Sequence, residues 1–148
     1  MQNRMTIAAC IATVSPFWLK NDGAPDSLAA FEKQRTLPLP PDFKAFFRWS
    51  DSGRGKFSGI YLDLWKIEQF DLLGRDYQID HYLGEAFVPF GSDGGPICFL
   101  LDYRTPAGPA IACVNFGDLD IDEVKVIAPS LTEFLAMAVR GELIDEDL

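Results

Sequence analysis

The sequence predicts an α+β fold with two N-terminal helices, an antiparallel β-sheet meander and a C-terminal amphipathic helix. Three observations support this fold class. Proline-bounded segments early in the chain hold apolar residues at helical spacing, short apolar runs alternate with glycine- and proline-rich connections, and a capping motif precedes the last apolar segment. The chain has 148 residues, of which 48% are apolar and 13% aromatic. This composition suits a single domain over residues 1–148 with a sizeable core.

Proline residues bound the two predicted N-terminal helices. Asp26 or Ser27 can cap the first helix, and the proline-rich run at 37–41 must end it. The last proline of that run suits the first turn of the second helix. Three phenylalanines of the second helix fall at i, i+3 and i+4 and share one face, which favours burial in the core. They are Phe43, Phe46 and Phe47.

The middle of the chain predicts strands. Residues 59–65 alternate apolar and polar side chains, as a half-buried strand does, after a polar break at 50–53. The mixed pattern at 66–83 predicts a short helix between glycine interruptions. The apolar runs that follow have short connections, which predicts consecutive antiparallel strands. These runs lie at 86–90, 97–103, 110–116 and 124–127.

The last helix is predicted to begin after Ser130, because Ser130 and Glu133 have the spacing of a capping box. The apolar residues that follow recur at helical spacing, so this helix is amphipathic. An acidic tail follows it, with carboxylates at Glu142, Asp145, Glu146 and Asp147.

The segment 91–95 reads Gly-Ser-Asp-Gly-Gly between two apolar runs. Glycine adopts positive φ at little steric cost, and Asp93 can bond the backbone two residues on, so the segment predicts a tight turn. Pro96 has no N–H for a sheet ladder, which favours an edge strand or a strand start there. A phosphate-binding loop would need a Gly-Lys-Ser/Thr ending that opens a helix, and the sequence has neither.

Charge and cysteine usage narrow the class of partner. The chain has 13 basic and 22 acidic residues, a formal charge of −9 and a pI near 4.4. This charge opposes binding to nucleic acid or anionic membrane and favours basic partners.

The three cysteines lie far apart among aliphatic residues, as buried thiols in a reducing compartment do. Within the apolar stretch at 5–14, Ile-Ala-Ala-Cys at 7–10 superficially looks like a lipoprotein cleavage site. The apolar part before Cys10 is too short for a usual signal core, so we expect a cytoplasmic protein in preference to a processed one.

Four separated segments occur in an informative order. They are Phe-Glu at 31–32 with Leu-Pro-Pro-Asp-Phe-Lys-Ala-Phe-Phe at 39–47, Ser-Asp-Ser-Gly at 50–53, Phe-Gly-Ser-Asp-Gly-Gly at 90–95 and Ala-Pro-Ser-Leu-Thr-Glu-Phe-Leu at 128–135. Together they resemble the SUKH superfamily over residues 26–138. The resemblance implies an α+β domain without cofactors. It also implies protein binding, since bacterial members, often encoded beside polymorphic toxins, bind and block a cognate toxin, while a fungal member regulates cell-wall assembly.

The sequence offers little support for catalysis or metal binding. Its one histidine is His81, and no strained Gly-x-Ser-x-Gly turn indicates a nucleophile, so we do not expect an enzyme. Asp118, Asp120 and Asp122 have the spacing that opens a calcium loop. However, Glu123 stands at the sixth position in place of glycine, and the twelfth position is not glutamate. We therefore expect no metal and no cofactor.

The same carboxylates have two interpretations. They form a solvated strand edge or loop, with the aspartates on one face if the segment is extended, or an acidic row that steers a cationic partner. Affinity would also need apolar anchors, for which Trp18, Trp65, Tyr77 and Tyr82 are candidates, although each also suits the core or an incidental surface. We predict a cognate protein toxin with a basic surface as partner. The predicted partner-binding residues are Asp93, Asp118, Asp120, Asp122, Glu123, Trp65 and Tyr82.

Overall fold

A computed structural model describes residues 6–23, 25–144 and 148. Within these residues the helices are α1 (Ile7–Val14), α2 (Pro25–Arg35), α3 (Pro41–Trp49), α4 (Phe70–Asp76), α5 (Ile79–Leu83) and α6 (Leu131–Val139). The strands are β1 (Trp18–Leu19), β2 (Gly53–Lys56), β3 (Tyr61–Leu64), β4 (Phe87–Ser92), β5 (Ile97–Asp102), β6 (Ala110–Asn115) and β7 (Lys125–Ala128). The predicted α+β class with an antiparallel meander and a C-terminal helix is confirmed. The carboxylates at 145–147 lie outside the described residues.

The strands form one antiparallel sheet in which spatial order equals chain order from β1 to β7. Short connections join the other neighbours, whereas α2 and α3 lie between β1 and β2, and α4 and α5 lie between β3 and β4. Antiparallel neighbours need no crossover, so the consecutive apolar runs predict this topology directly. The connections at 93–96 and 116–124 lie at the same end of the sheet, because β4 and β6 run in the same direction.

One face of the sheet carries the larger core cluster, which includes residues of α1, α2, α3 and α6. The centre of this cluster is aromatic. The rings of Phe43 and Phe47 stack with centroids 4.5 Å apart, and Phe90 packs edge-on against Phe43 at 5.5 Å. Phe99 and Phe134 make a similar contact at 5.0 Å. Such pairs stabilise a core by about 0.5–1.5 kcal/mol each beyond area burial, and the predicted phenylalanine face of α3 is confirmed as core.

The opposite face carries a smaller core cluster, in which Ile79 and Leu83 of α5 cover the centre of the sheet. Because helices or loops cover both faces of β5, every residue of this strand is buried. Two-sided burial explains why residues 97–101 are apolar without alternation. The sheet residues of the smaller cluster are Phe87, Cys98, Leu100, Ala112 and Val114.

The apolar stretch at 7–14 forms α1, a helix that the sequence pattern did not predict. Thr6 caps it, since its hydroxyl accepts a hydrogen bond from Ala9 N at 3.1 Å. Cys10 and Val14 are fully buried, and the Cys10 thiol lies 3.8 Å from the carbonyl oxygen of Thr132 in α6. The stretch therefore belongs to the core.

Trp18 also lies in the core, with 7% of its surface exposed, so its candidacy as a partner-binding anchor is wrong. The indole covers Gly53 and Gly55 of β2, where an added Cβ would approach its atoms to 2.3 Å and 2.7 Å. Its Nε1 donates a hydrogen bond to Ser50 Oγ at 3.3 Å. The two glycines of β2 have no side chains and therefore leave room for the ring.

Strands β1 and β2 come before the strand predicted at 59–65.

The polar residues at 50–53 hold these strands in place. Ser50 Oγ donates to the carbonyl oxygen of Ser52 at 2.7 Å and accepts from Asn21 N at 3.1 Å. Asp51 Oδ1 accepts from Ile67 N at 3.0 Å, and burial raises the pKa of the Asp51 carboxyl. These side chains stabilise the fold through their hydrogen bonds to neighbouring backbone groups.

Asp42 connects the N-terminal helices to α6. Its Oδ1 accepts a hydrogen bond from Phe43 N at 2.8 Å, while Oδ2 accepts from Thr132 N at 3.0 Å and from Thr132 Oγ1 at 2.8 Å. Ser130 Oγ accepts from Glu133 N at 3.1 Å, so the predicted cap of the last helix is confirmed. Two of the motif segments thereby meet at one junction.

Candidate interaction surface

Three aromatic rings pack against one another beside the smaller core cluster, with interplanar angles of 14° to 31°, and we call them the aromatic stack. They belong to Trp65, Tyr77 and Phe116, which follow β3, α4 and β6 respectively. The centroids of Tyr77 and Phe116 are 4.4 Å apart, and those of Trp65 lie 6.0 Å from Tyr77 and 6.4 Å from Phe116. Trp65 and Phe116 are half-buried, whereas Tyr77 is 46% exposed. The stack therefore presents an aromatic ring to solvent on a packed support.

Backbone hydrogen bonds fix the positions from which these rings project. Trp65 N donates to Phe90 O at 2.9 Å, and Phe116 N donates to Pro96 O at 2.8 Å. Tyr77 caps the end of α4 through its backbone N–H. Rigid attachment lowers the entropy that the rings lose when a partner covers them.

The connection at 117–124, called the acidic loop below, starts directly after Phe116. Leu119 and Val124 pack against the smaller core cluster and anchor the loop. Asp120 Oδ1 accepts a hydrogen bond from Asp122 N at 2.9 Å, which opens a 3₁₀ turn at Ile121–Glu123. The loop is not an extended strand, so alternation does not place its aspartates on one face. All four predicted carboxylates are exposed: Asp118, Asp120, Asp122 and Glu123.

Asp93 stabilises the predicted turn between β4 and β5. Its Oδ1 accepts hydrogen bonds from Gly95 N at 2.9 Å and from Ile97 N at 3.1 Å. Gly94 has a φ of 80°, and a Cβ there would lie 2.8 Å from the ring of Tyr61. The turn prediction is confirmed, while the role of Asp93 in partner binding stays a prediction.

Trp65 contacts the ring of Phe116, and the acidic loop begins at the residue after Phe116. Tyr82 lies elsewhere, on α5, where it is 55% exposed and its ring packs edge-on against His81 at 4.7 Å. The structure thus connects Trp65 to the acidic loop through Phe116 and leaves Tyr82 outside the stack. Phe116 was missed, because its only sequence signal is its place at the end of a predicted strand.

All three cysteines of the chain are buried as free thiols. Burial raises the pKa of the Cys10 and Cys113 thiols to about 11 and that of Cys98 well above its usual value, so all three thiols stay protonated near neutral pH. No group of three or more His, Cys, Asp or Glu side chains in the described part of the chain could hold a metal ion. No helix among the described residues is long and apolar enough to cross a membrane.

Comparison with known families agrees with this fold. The family model described as SMI1 / KNR4 family (SUKH-1) matches residues 24–137. The chain belongs to the SUKH-1 family. The SUKH-1 match covers the aromatic stack, the acidic loop and every strand except β1, while α1 and β1 precede it. A comparison with curated proteins finds no match.

Proposed function

We propose that this SUKH-1 protein is an immunity-type protein that binds a cognate toxin and neutralises it by covering its active site or substrate groove, without chemistry of its own. The observation that carries the proposal is the aromatic stack beside the acidic loop. Membership of the SUKH-1 family supports a protein partner, since the resemblance to SUKH proteins implies protein binding.

The physical argument separates encounter from affinity. Four exposed carboxylates in one loop, on a chain of charge −9, attract a basic surface and raise the association rate. Affinity then depends on anchors that are rigid before binding, and Tyr77 on its packed neighbours is such an anchor. A basic toxin groove would meet both features together.

The test is co-expression with the toxin encoded next door, followed by size-exclusion chromatography and calorimetry. We expect a stoichiometric complex and survival of the host cells. Replacing Tyr77 with alanine should weaken the complex by about 2 kcal/mol, or roughly thirtyfold in Kd, mainly through faster dissociation. Leu19→Ala is the control, because Leu19 is 65% exposed and lies on the edge strand β1, outside the aromatic stack and the acidic loop.

The charge contribution has its own matched pair of variants. D118N/D122N/E123Q removes three exposed charges from the acidic loop, whereas D22N/D26N/E85Q removes three exposed charges elsewhere. We expect the loop variant to slow association at low salt, with the difference disappearing as salt rises. Survival of the host without any detectable complex would contradict neutralisation by occlusion.

An alternative proposal is a cytoplasmic regulatory scaffold that binds endogenous partners, in line with the SMI1 / KNR4 part of the family description. The same surface would then engage a housekeeping protein. Lack of a toxin-like neighbour, together with a stable complex between the purified chain and one defined endogenous partner that Tyr77→Ala disrupts, would favour this alternative.

A further inference from the structure

A cleft of about 350 Å³ lies at the junction of α4 and α5. Arg75, Gln78, Asp80 and His81 line it. Gln78 shapes the junction, because its left-handed φ of 62° ends one helix before the other begins. Its backbone N–H donates to Arg75 O at 3.0 Å, which holds this turn in place.

Asp80 has an unusual environment in this cleft. Its Oδ1 is buried, and it is the single buried side-chain oxygen or nitrogen among the described residues that lacks a hydrogen-bond partner. Gly74 lies beside this oxygen: a Cβ added to Gly74 would be 3.8 Å from Asp80 Oδ1. No salt bridge in the described part of the chain includes Asp80, although Arg75 lines the same cleft. The carboxylate is therefore partly desolvated and uncompensated.

We propose that this cleft receives a cationic side chain, arginine or lysine, of the bound protein partner, with Asp80 as its counter-charge. This inference rests on the proposed function. The charge of a carboxylate is shared by both oxygens, so a cation on the open side of the half-buried Asp80 compensates the covered oxygen as well. Arg75 and His81 are exposed and keep their hydration, and their own need for a counter-charge is accordingly smaller.

The position of the cleft also suits a protein partner. Tyr77 of the aromatic stack lies between Arg75 and Gln78 in sequence, and the exposed Tyr82 packs against His81. A charge pair beside exposed tyrosines has the composition of an interface centre, where aromatic residues and arginine are enriched. Tyr82, which lies outside the stack, then borders the second contact point of the same partner.

The probe is n-butylguanidinium, titrated into the full ¹⁵N-labelled chain and followed by amide chemical shifts. We expect saturable shifts centred on Gln78, Asp80 and His81. Asp80→Asn should weaken this binding about tenfold by removing the counter-charge. Asp76→Asn is the matched control, because Asp76 is an exposed carboxylate at the end of α4 outside the cleft, and it should leave the titration unchanged.

Folding is monitored by the thermal midpoint of each variant. Asp80→Asn should keep or raise the midpoint, because it removes an uncompensated charge without changing shape. The proposal is overturned by equal binding in Asp80→Asn, by a lowered midpoint, by no saturable shifts, or by saturation with n-butylphosphonate instead of the guanidinium. Since the probe needs no toxin, these failures are distinct from loss of the toxin complex.

Discussion

Replacing Asp42 with alanine is expected to loosen the junction of α3 and α6. The Asp42 carboxylate accepts two hydrogen bonds from Thr132, a residue 90 positions later in the chain, and one from the adjacent Phe43 N. Water can replace the partner of the Phe43 N–H in the first turn of α3. The two bonds to α6 therefore decide the effect.

The size of the effect follows from these two bonds. Hydrogen bonds to a charged group stabilise by about 1.5–3 kcal/mol when buried, and this carboxylate is half-buried, so a combined loss of about 2–3 kcal/mol is expected. For 148 residues the unfolding entropy makes 1 kcal/mol equal to about 3 °C in Tm. The midpoint should fall by about 6–10 °C.

The assay is urea unfolding followed by circular dichroism, with Asp42→Ala, Thr132→Val and the double variant compared in a cycle. Thr132→Val removes the hydroxyl bond only, so the cycle should give a coupling of about 1 kcal/mol. Asp26→Ala is the control, because Asp26 also lies in the first turn of a helix, and within the described residues no hydrogen bond joins it to another helix. Its cost should stay below about 1 kcal/mol, the contribution of a carboxylate near a helix N-terminus.

A coupling energy near zero would refute this account of the α3–α6 junction. So would equal losses in Asp42→Ala and Asp26→Ala, since that result would assign the whole effect to the helix dipole.

Three further outcomes are expected. Burial alone would raise the pKa of Asp102, but hydrogen bonds from Arg104 outweigh burial and lower that pKa. Arg104→Gln should therefore be less stable than the parent chain above about pH 4, and the difference should shrink as the pH falls toward 2 in acid titrations. Gly55→Ala should destabilise the fold by about 1–3 kcal/mol in urea unfolding, because the added Cβ would clash with the Trp18 ring and the carbonyl oxygen of Phe17. An unchanged urea midpoint would contradict that packing. The three buried thiols should stay unreactive toward a thiol reagent at pH 8 in the folded chain and react once urea unfolds it; rapid labelling of the folded chain would contradict their burial.

The sequence predicted those elements whose signals are local. Pro41 and the spaced phenylalanines define α3, and Ser130 with Glu133 defines the start of α6. It did not predict β2, because Gly-Arg-Gly-Lys has the composition of a loop and becomes a strand only where Trp18 covers its glycines. The link from Asp42 to Thr132 is equally invisible along the chain.

The candidate site was predictable in part for the same reason. The carboxylates of the acidic loop are visible as a cluster, and their exposure follows from their charge. The aromatic stack depends on three residues from separate elements, Trp65, Tyr77 and Phe116, whose contact needs the finished sheet. No periodicity within one segment indicates such a contact.

The division of the core between the two faces of the sheet has a consequence for variation. The phenylalanine-rich cluster contains most of the buried apolar side chains, and Trp65 of the stack packs against both clusters. The acidic loop contributes no residue to that cluster. Under the proposed function, substitutions of the exposed loop carboxylates should therefore change partner binding with little loss of stability. Under that function, one scaffold could bind many different protein partners through changes at a few exposed positions.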